Sequence, residues 1–378
     1  MKVTDVTAIP VSVPIRKQYQ TSLSSAPGQE SETHDHVVIR IETDGGVTGY
    51  GEAAPMAAWP HGLTQGAVSD LINDALAPTV QGRRLDRIAR ILDDLERQLS
   101  GEPFPVYGID LALHDALGKA RDRPVYDLLG GPKNADRSFP LHYSIGIKDT
   151  EAMADDAAGA AEEGFRAFKV KVGGDDHDAE RAGIEAIAER VPNARIRIDA
   201  NQGWQPEEAI RKIRELDDAA GGLTLVEQPV EYDAIAGLRR VREAVDPPIL
   251  ADESAFSPRD AAEIARRDAA DIINIKLAKT GGLHRGKDVA TVAAAHGMTC
   301  FMGSMVELGI GAAASAHLTV STPTITYPTG VMNQYVDDTL VANYETDWAV
   351  DGPRFTVPDR PGLGVEPDHD AIERLRVD

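Results

Sequence analysis

The sequence predicts an α/β protein, a parallel β/α barrel preceded by an α+β domain. Three observations predict it. Strand-like alternation fills the first 50 or so residues, helical periodicity runs from about 66 to 121, and beyond 135 short apolar runs alternate with amphipathic helices. The 378 residues are about two domains' worth of chain. One of those domains can be a barrel, which alone takes roughly 250 residues.

The opening segments VTDVTAIPVSV, DHVVIRIETDGG and VTGYGEA are separated by turn residues, as in a small antiparallel sheet. GAVSDLINDALAPTV, RIARILDDLERQLS and VYGIDLALHDALGKARD follow with helical spacing. Residues 1–125 are therefore read as an α+β capping domain. Its loops TSLSSAPGQESE (21–32) and APMAAWPHG (54–62) are rich in Ser, Gly, Pro and small residues, and specificity is expected to reside there. Residues 126–345 hold the strand candidates LHYSIG, FKVKV, RIRIDA, LTLVEQ, PILADE, IINIKL and MTCFMG, with an eighth near TITYPTG. EAMADDAAGAAEEG, PEEAIRKIRELDD and SPRDAAEIARRD lie between them as helices, with Ser257 before Pro258 as a start signal and Gly164 as a stop. This rhythm favours a closed barrel over an open doubly wound sheet. The remaining residues, 346–378, alternate at Phe355 and Val357 and are expected to return to the capping domain.

Composition excludes several classes of function. With 61 acidic against 39 basic residues, the net charge is -22, which disfavours nucleic acid as a partner. Acidic pairs recur at 93, 155, 175, 217 and 337, a spread suited to a halophilic protein because salt screens self-repulsion. No apolar run approaches the roughly 20 residues that cross a bilayer, and the N-terminus lacks a signal peptide's apolar stretch, so a cytoplasmic protein without a membrane partner is expected. Cys300 is the single cysteine, which excludes an internal disulfide and a thiolate metal site.

In FKVKV, Phe168, Val170 and Val172 share one strand face, and Lys169 and Lys171 share the other. On an isolated sheet that second face would meet water. In a barrel it points inward, near the carboxyl end of the strand where barrel enzymes place their chemistry. The following strands bring Asp199, Glu227, Asp252 and Lys276 to the same end, in steps of 28, 28, 25 and 24 residues from Lys171. Each step is about one β/α unit, so these residues line one rim. Three converging carboxylates repel one another unless neutralised, and all-oxygen ligation suits a hard divalent cation, Mg²⁺ first.

The ordered set K-x-K (Lys169, Lys171), D-x-N (Asp199, Asn201), E-x-P (Glu227, Pro229), D-E-S (Asp252) and the Lys276 of NIKLAKTGG resembles the enolase superfamily, in its muconate lactonizing enzyme subgroup. The resemblance spans nearly the whole chain, including the G-x-G-E segment Gly49 to Glu52. It implies a modified TIM barrel, (β/α)7β, with the capping domain closing over it. It also implies Mg²⁺, or Mn²⁺, held by Asp199, Glu227 and Asp252, with Lys171 as general base and Lys276 on the opposite face of the substrate. Asn201, Glu253, Ser304 and Glu307 are expected around them as supporting or substrate-binding residues. The implied activity is α-proton abstraction from a small-molecule carboxylate through an enediolate, in a racemase, epimerase or cycloisomerase, with β-elimination as an alternative. A homo-oligomer is expected.

Lysines two residues apart on a strand lie roughly 7 Å apart and repel by about 2.4 kcal/mol at an effective dielectric of about 20, so Lys169 is expected to tune Lys171 as a base. Dipeptide epimerases of this family carry D-x-D after the eighth strand to hold the substrate ammonium, whereas this chain reads TITYPTGVMNQY there, without an acid. Glu307 either binds substrate or pairs within the barrel. A lysine Schiff-base aldolase would also use barrel lysines but leaves the three acids without a role. The glycines of KTGG follow the lysine, the wrong order for a phosphate loop. His34 and His36 are read as surface residues, and His296 as a helix C-terminal residue.

Overall fold

The computed structural model describes residues 1–16, 32–57, 59–99, 101–330 and 335–377. The 21–32 loop, apart from Glu32, lies outside them, as do Ala58 and residues 331–334 at the end of the eighth-strand region. Strands β1 (Val3–Pro14), β2 (Thr33–Thr43) and β3 (Thr48–Ala53) form an antiparallel sheet with β2 at its centre. Helices α1 (Gln65–Asp70) and α2 (Ala77–Val80), joined by a π-helical turn, lead through α3 (Ile88–Gln98) to α4 (Pro103–Arg121), which packs across β2 and β3. The G-x-G spacing has a local cause. A Cβ at Gly51 would lie 2.0 Å from the Gly108 carbonyl oxygen and one at Gly49 2.2 Å from that of Ala112, so only glycine lets the strand approach α4 so closely.

After α5 (Val125–Leu128) and β4 (Ser138–Pro140), seven parallel strands pair in sequence order. They are β5 (Tyr143–Ile145), β6 (Ala167–Lys171), β7 (Arg195–Asp199), β8 (Val226–Glu227), β9 (Ile249–Ala251), β10 (Ile272–Ile275) and β11 (Thr299–Met302). Between them run α6 (Thr150–Glu162), α7 (His177–Arg190), α8 (Pro206–Ala220), α9 (Ile235–Ala244), α10 (Pro258–Arg266), and the pair α11 (Leu277–Thr280) and α12 (Leu283–Ala295); α13 (Gly309–Val320) follows β11. The eighth position is not a regular ladder. Ile325 bridges to Cys300 and Thr329 to Leu141, which closes the ring, and Pro328 between them has no N–H to offer. Strand alternation sorts the side chains as expected: Phe168 and Val170 join the main core, while Leu225, Leu250, Ile272 and Phe301 form a separate apolar cluster inside the barrel. On the inward face the buried Arg197 lies against that cluster, its guanidinium 4.8 Å from the centre of the Phe301 ring.

The chain ends with α14 (Tyr344–Asp347), a hairpin of β12 (Ala349–Asp351) and β13 (Arg354–Thr356), and α15 (His369–Leu375). β13 pairs with β4, and the last residues reach the first sheet, where Val377 N–H donates to the Pro10 carbonyl at 3.0 Å. Among the described residues no helix is long and apolar enough to cross a membrane.

Buried acids of the capping domain join it to the barrel by meeting helix N-termini, where backbone N–H groups have no partner within the helix. Glu52 accepts from Leu308 N–H at 2.7 Å and Gly311 N–H at 2.8 Å, at the start of α13. Asp110 accepts from Leu283 and His284 N–H at the start of α12. Asp115 ties β3 to the C-terminal segment through Tyr50 N–H at 2.9 Å and Leu363 N–H at 2.8 Å. This seam corrects the surface reading of His36, which is 2% exposed with Nδ1 3.1 Å from Glu52 Oε1. One face of the sheet packs on α4, and on the other face His36 and Glu52 are covered where it docks toward α13, while Arg40 and Glu42 farther along that face remain half-exposed. His34 is half-buried on the same face.

His317 of α13 is buried between two backbone groups. Its Nδ1 accepts from Tyr126 N–H at 3.0 Å, its Nε2 donates to the Leu363 carbonyl at 3.1 Å, and desolvation holds its pKa at about 4. The unfolded chain takes up this proton near 6.5, so the linked loss of stability begins as pH falls through 6.5 and is complete below about 4. It amounts to about 3 kcal/mol. His317→Gln is expected to be less stable than the parent at pH 7 but to lose about 3 kcal/mol less between pH 7 and 4 in urea unfolding. Parallel pH curves for the two proteins would contradict this.

Candidate active site

The carboxyl ends of β6 to β10 bring acids and lysines together because β6–β7 and β7–β8 pair in register. Lys171 lies beside Asp199, and Asp199 beside Glu227. Asp199, Glu227 and Asp252 are essentially buried, as are Lys169, Lys171 and Lys276. Lys169 Nζ donates to Glu227 Oε1 and Oε2 at 3.0 and 2.9 Å and lies 3.0 Å from Asp199 Oδ2. Lys171 Nζ donates to the same Asp199 oxygen at 2.6 Å and to Asn201 Oδ1 at 2.5 Å. The two lysines thus share a carboxylate, which offsets the repulsion expected between them. Lys276 Nζ stands 2.6 Å from Asp252 Oδ2, close but off the hydrogen-bonding direction.

These pairings decide the charge states. Burial alone would raise the Asp199 carboxyl, but Lys169 and Lys171 outweigh it and hold it below the ordinary carboxylate range. Burial likewise works against Asp252, and Lys276 and Lys279 bring it down to about 2. Burial and the neighbouring Asp199 push Glu227 up. Glu253, which accepts from Asn201 Nδ2 at 2.9 Å, is pushed up to about 8 by burial and then by Asp252 and Asp199. Glu307 is raised by burial while the bond donated by Ser304 Oγ to Oε2 opposes the shift, and its Oε1 has no hydrogen-bond partner.

Several participants were not singled out in the sequence. Lys279, fully buried, donates to Asp252 Oδ1 at 2.8 Å and to its backbone carbonyl. Asn274 Nδ2 donates to Glu227 Oε1 at 3.1 Å, and its place two residues before Lys276 was a legible signal of a shared inward face. Gln228 Oε1 accepts from Asp252 N–H at 2.9 Å and Ser254 N–H at 3.2 Å, fixing the D-E-S turn from the neighbouring strand. From the capping loop, Trp59 lays its ring 3.9 Å from Lys276 Nζ.

The donor set suits a hard cation, since three buried carboxylates on adjacent strands supply only anionic oxygen. Lys169 bridges Asp199 and Glu227, and Lys276 and Lys279 face the two oxygens of Asp252. Among the described residues no three His, Cys, Asp or Glu side chains converge as ligands of one ion.

Comparison with known proteins places this geometry. The family model described as mandelate racemase / muconate lactonizing enzyme, N-terminal domain, matches residues 3–130, and the one described as enolase C-terminal domain-like matches residues 152–371. The L-Ala-D/L-Glu epimerase of Bacillus subtilis is 36% identical over 369 residues, 97% of each chain. Muconate cycloisomerase 1 of Rhodococcus opacus is 32% identical over 366 residues, 96% of this chain and 95% of its own. Among solved structures, the dipeptide epimerase from Enterococcus faecalis V583, complexed with Mg and the dipeptide L-Leu-L-Tyr, superposes with a TM-score of 0.89 at 30% identity, covering 97% of this chain and 100% of that one.

Breaking a buried ion pair from one side leaves an uncompensated charge. Lys279→Met should therefore lower stability by about 3 kcal/mol in urea unfolding at pH 7 without divalent cations, and adding Asp252→Asn should recover part of the loss. A change below about 1 kcal/mol would mean that Asp252 does not depend on Lys279.

Proposed function

Because the chain belongs to the enolase superfamily, in its mandelate racemase / muconate lactonizing enzyme family, we propose that it moves the α-proton of a small carboxylate substrate between two lysines. The observation that carries this reading is the placement of Lys171 and Lys276. They end β6 and follow β10, four strands apart on the rim, each beside a carboxylate. A substrate held between them can lose its α-proton to one lysine, and the planar carbanion so formed can receive a proton from the other on its opposite face, which inverts the α-carbon.

In this reading Lys171 removes the proton from one configuration and Lys276 from the other. Asn201 Oδ1 accepts from Lys171, and Glu253 accepts from the Asn201 amide, which fixes it. Lys169, bound to both Asp199 and Glu227, supplies positive charge where the substrate carboxylate gains its second negative charge. Asp199, Glu227 and Asp252 would hold Mg²⁺, and the bound ion would attract the substrate carboxylate and stabilise charge on its oxygens. The other side of the substrate faces the capping domain and the eighth-strand region. No acid occurs in Thr324 to Gly330, so a free substrate ammonium would lack a carboxylate there, which favours an N-acylated amino acid over a dipeptide with a free amino end. Cycloisomerisation is the second reading, supported by the likeness to muconate cycloisomerase 1.

The test is α-proton exchange in D₂O followed by NMR and mass spectrometry on both enantiomers of N-succinyl and N-acetyl amino acids. The wild type should gain one deuterium from either enantiomer. Lys171→Ala should retain exchange with one enantiomer and Lys276→Ala with the other, each losing about 10²–10⁴-fold on its own side. Loss with both enantiomers in Lys171→Ala, with Lys276→Ala active, would mean that a single base serves the reaction.

A further inference from the structure

We propose that Trp59 is a positioning residue for Lys276, its indole face holding the ammonium at the barrel mouth so that docking of the capping loop and presentation of this lysine are one event. The proposal rests on the reading of Lys276 as one of two proton-transferring lysines.

Lys276 is held from three sides. Its Nζ lies 3.9 Å from the centre of the Trp59 ring, well within the roughly 6 Å over which a cation is attracted to an aromatic face. Its stem passes the backbone of Gly303, where an added Cβ would lie 2.9 Å from Lys276 Cε. Its tip meets Asp252 Oδ2 at 2.6 Å. Of these contacts, the one to Asp252 has competition, because Lys279 already occupies the other oxygen of the same carboxylate. The Trp59 face has no second cation on it among the described contacts.

Trp59 is itself fixed. It is 9% exposed, its N–H donates to the Met56 carbonyl at 3.1 Å, and its carbonyl accepts from Gly62 N–H at 2.8 Å. Two residues on, His61 meets Phe256 edge-on at 5.1 Å, and the Phe256 ring lies 5.8 Å from Lys279 Nζ. The loop therefore touches the barrel at two aromatic points, each beside a lysine that binds Asp252. A ring that merely filled the mouth with apolar surface would shield Lys171 and Lys276 alike, whereas a ring that holds one ammonium acts on Lys276 alone.

The contact can be read without substrate. The full-length protein is given a brief, limiting exposure to N-acetoxysuccinimide, and acetylation at each lysine is quantified by peptide mass spectrometry. In Trp59→Leu, modification of Lys276 should rise on the order of tenfold while Lys171 and Lys279 stay at wild-type levels, and Trp59→Phe, which keeps a ring, should fall between. Should the leucine variant fail to fold, Trp59→Met, which keeps apolar bulk without a ring, carries the test, with modification of Lys276 again expected to rise while Lys171 stays at the wild-type level. An equal rise at Lys171 and Lys276, or no rise at Lys276, overturns the proposal. Since no substrate is present, this outcome is separate from the exchange experiment: selective exposure of Lys276 alongside intact exchange of both enantiomers in Lys276→Ala would keep the contact and remove the catalytic reading.

Discussion

Burying carboxylates beside one another is the constraint on which the site depends. Taking an ion out of water costs several kcal/mol even after relaxation, and like charges on adjacent strands add to that cost. Asp199, Glu227 and Asp252 stand under this penalty together, and four lysines answer it. The assignment is uneven. Lys169, Lys171 and Lys279 are each engaged by two acceptor groups, while Lys276 has one carboxylate oxygen and an aromatic ring.

The same economy of charge joins the two parts of the molecule. Glu52 and Asp110 bring buried carboxylates from the capping domain to the N-termini of α13 and α12, where backbone N–H groups donate to them. α13 follows directly from the segment holding Ser304 and Glu307, and α12 from the turn after Lys276. Val306 in that first segment has a φ of 61°, costly for a β-branched residue and sustained here by bonds on both sides of it, from Ser304 to Glu307 and from Leu308 to Glu52. The cap is thus attached to the loops that surround the chemistry.

Much of this was legible in the sequence, for identifiable reasons. The lysines of FKVKV and the acids after the following strands could be placed on one rim because strands have a period of two and each β/α unit is about as long as the next. Lys279 was not legible because it follows the strand on a short helix, where its spacing from Lys276 reads as a helix face instead of a barrel interior. Glu52 and Asp110 were not legible as helix partners because their donors lie 256 and 173 residues away. His36 was misread because alternation reports which residues share a face, and only the docking of the barrel determines whether that face is wet. Trp59 stood in a loop whose composition suggested specificity but carried no sign of which lysine it would meet.

We propose that this lysine-balanced set of carboxylates receives a divalent cation, which isothermal titration calorimetry with Mg²⁺ measures. The wild type should bind one equivalent, and Asp199→Asn, Glu227→Gln and Asp252→Asn should each weaken binding on the order of tenfold or more, since each removes an anionic oxygen from a hard cation. Unchanged affinity in all three variants, or no binding by the wild type, would contradict the account and leave the acids as partners of the lysines alone.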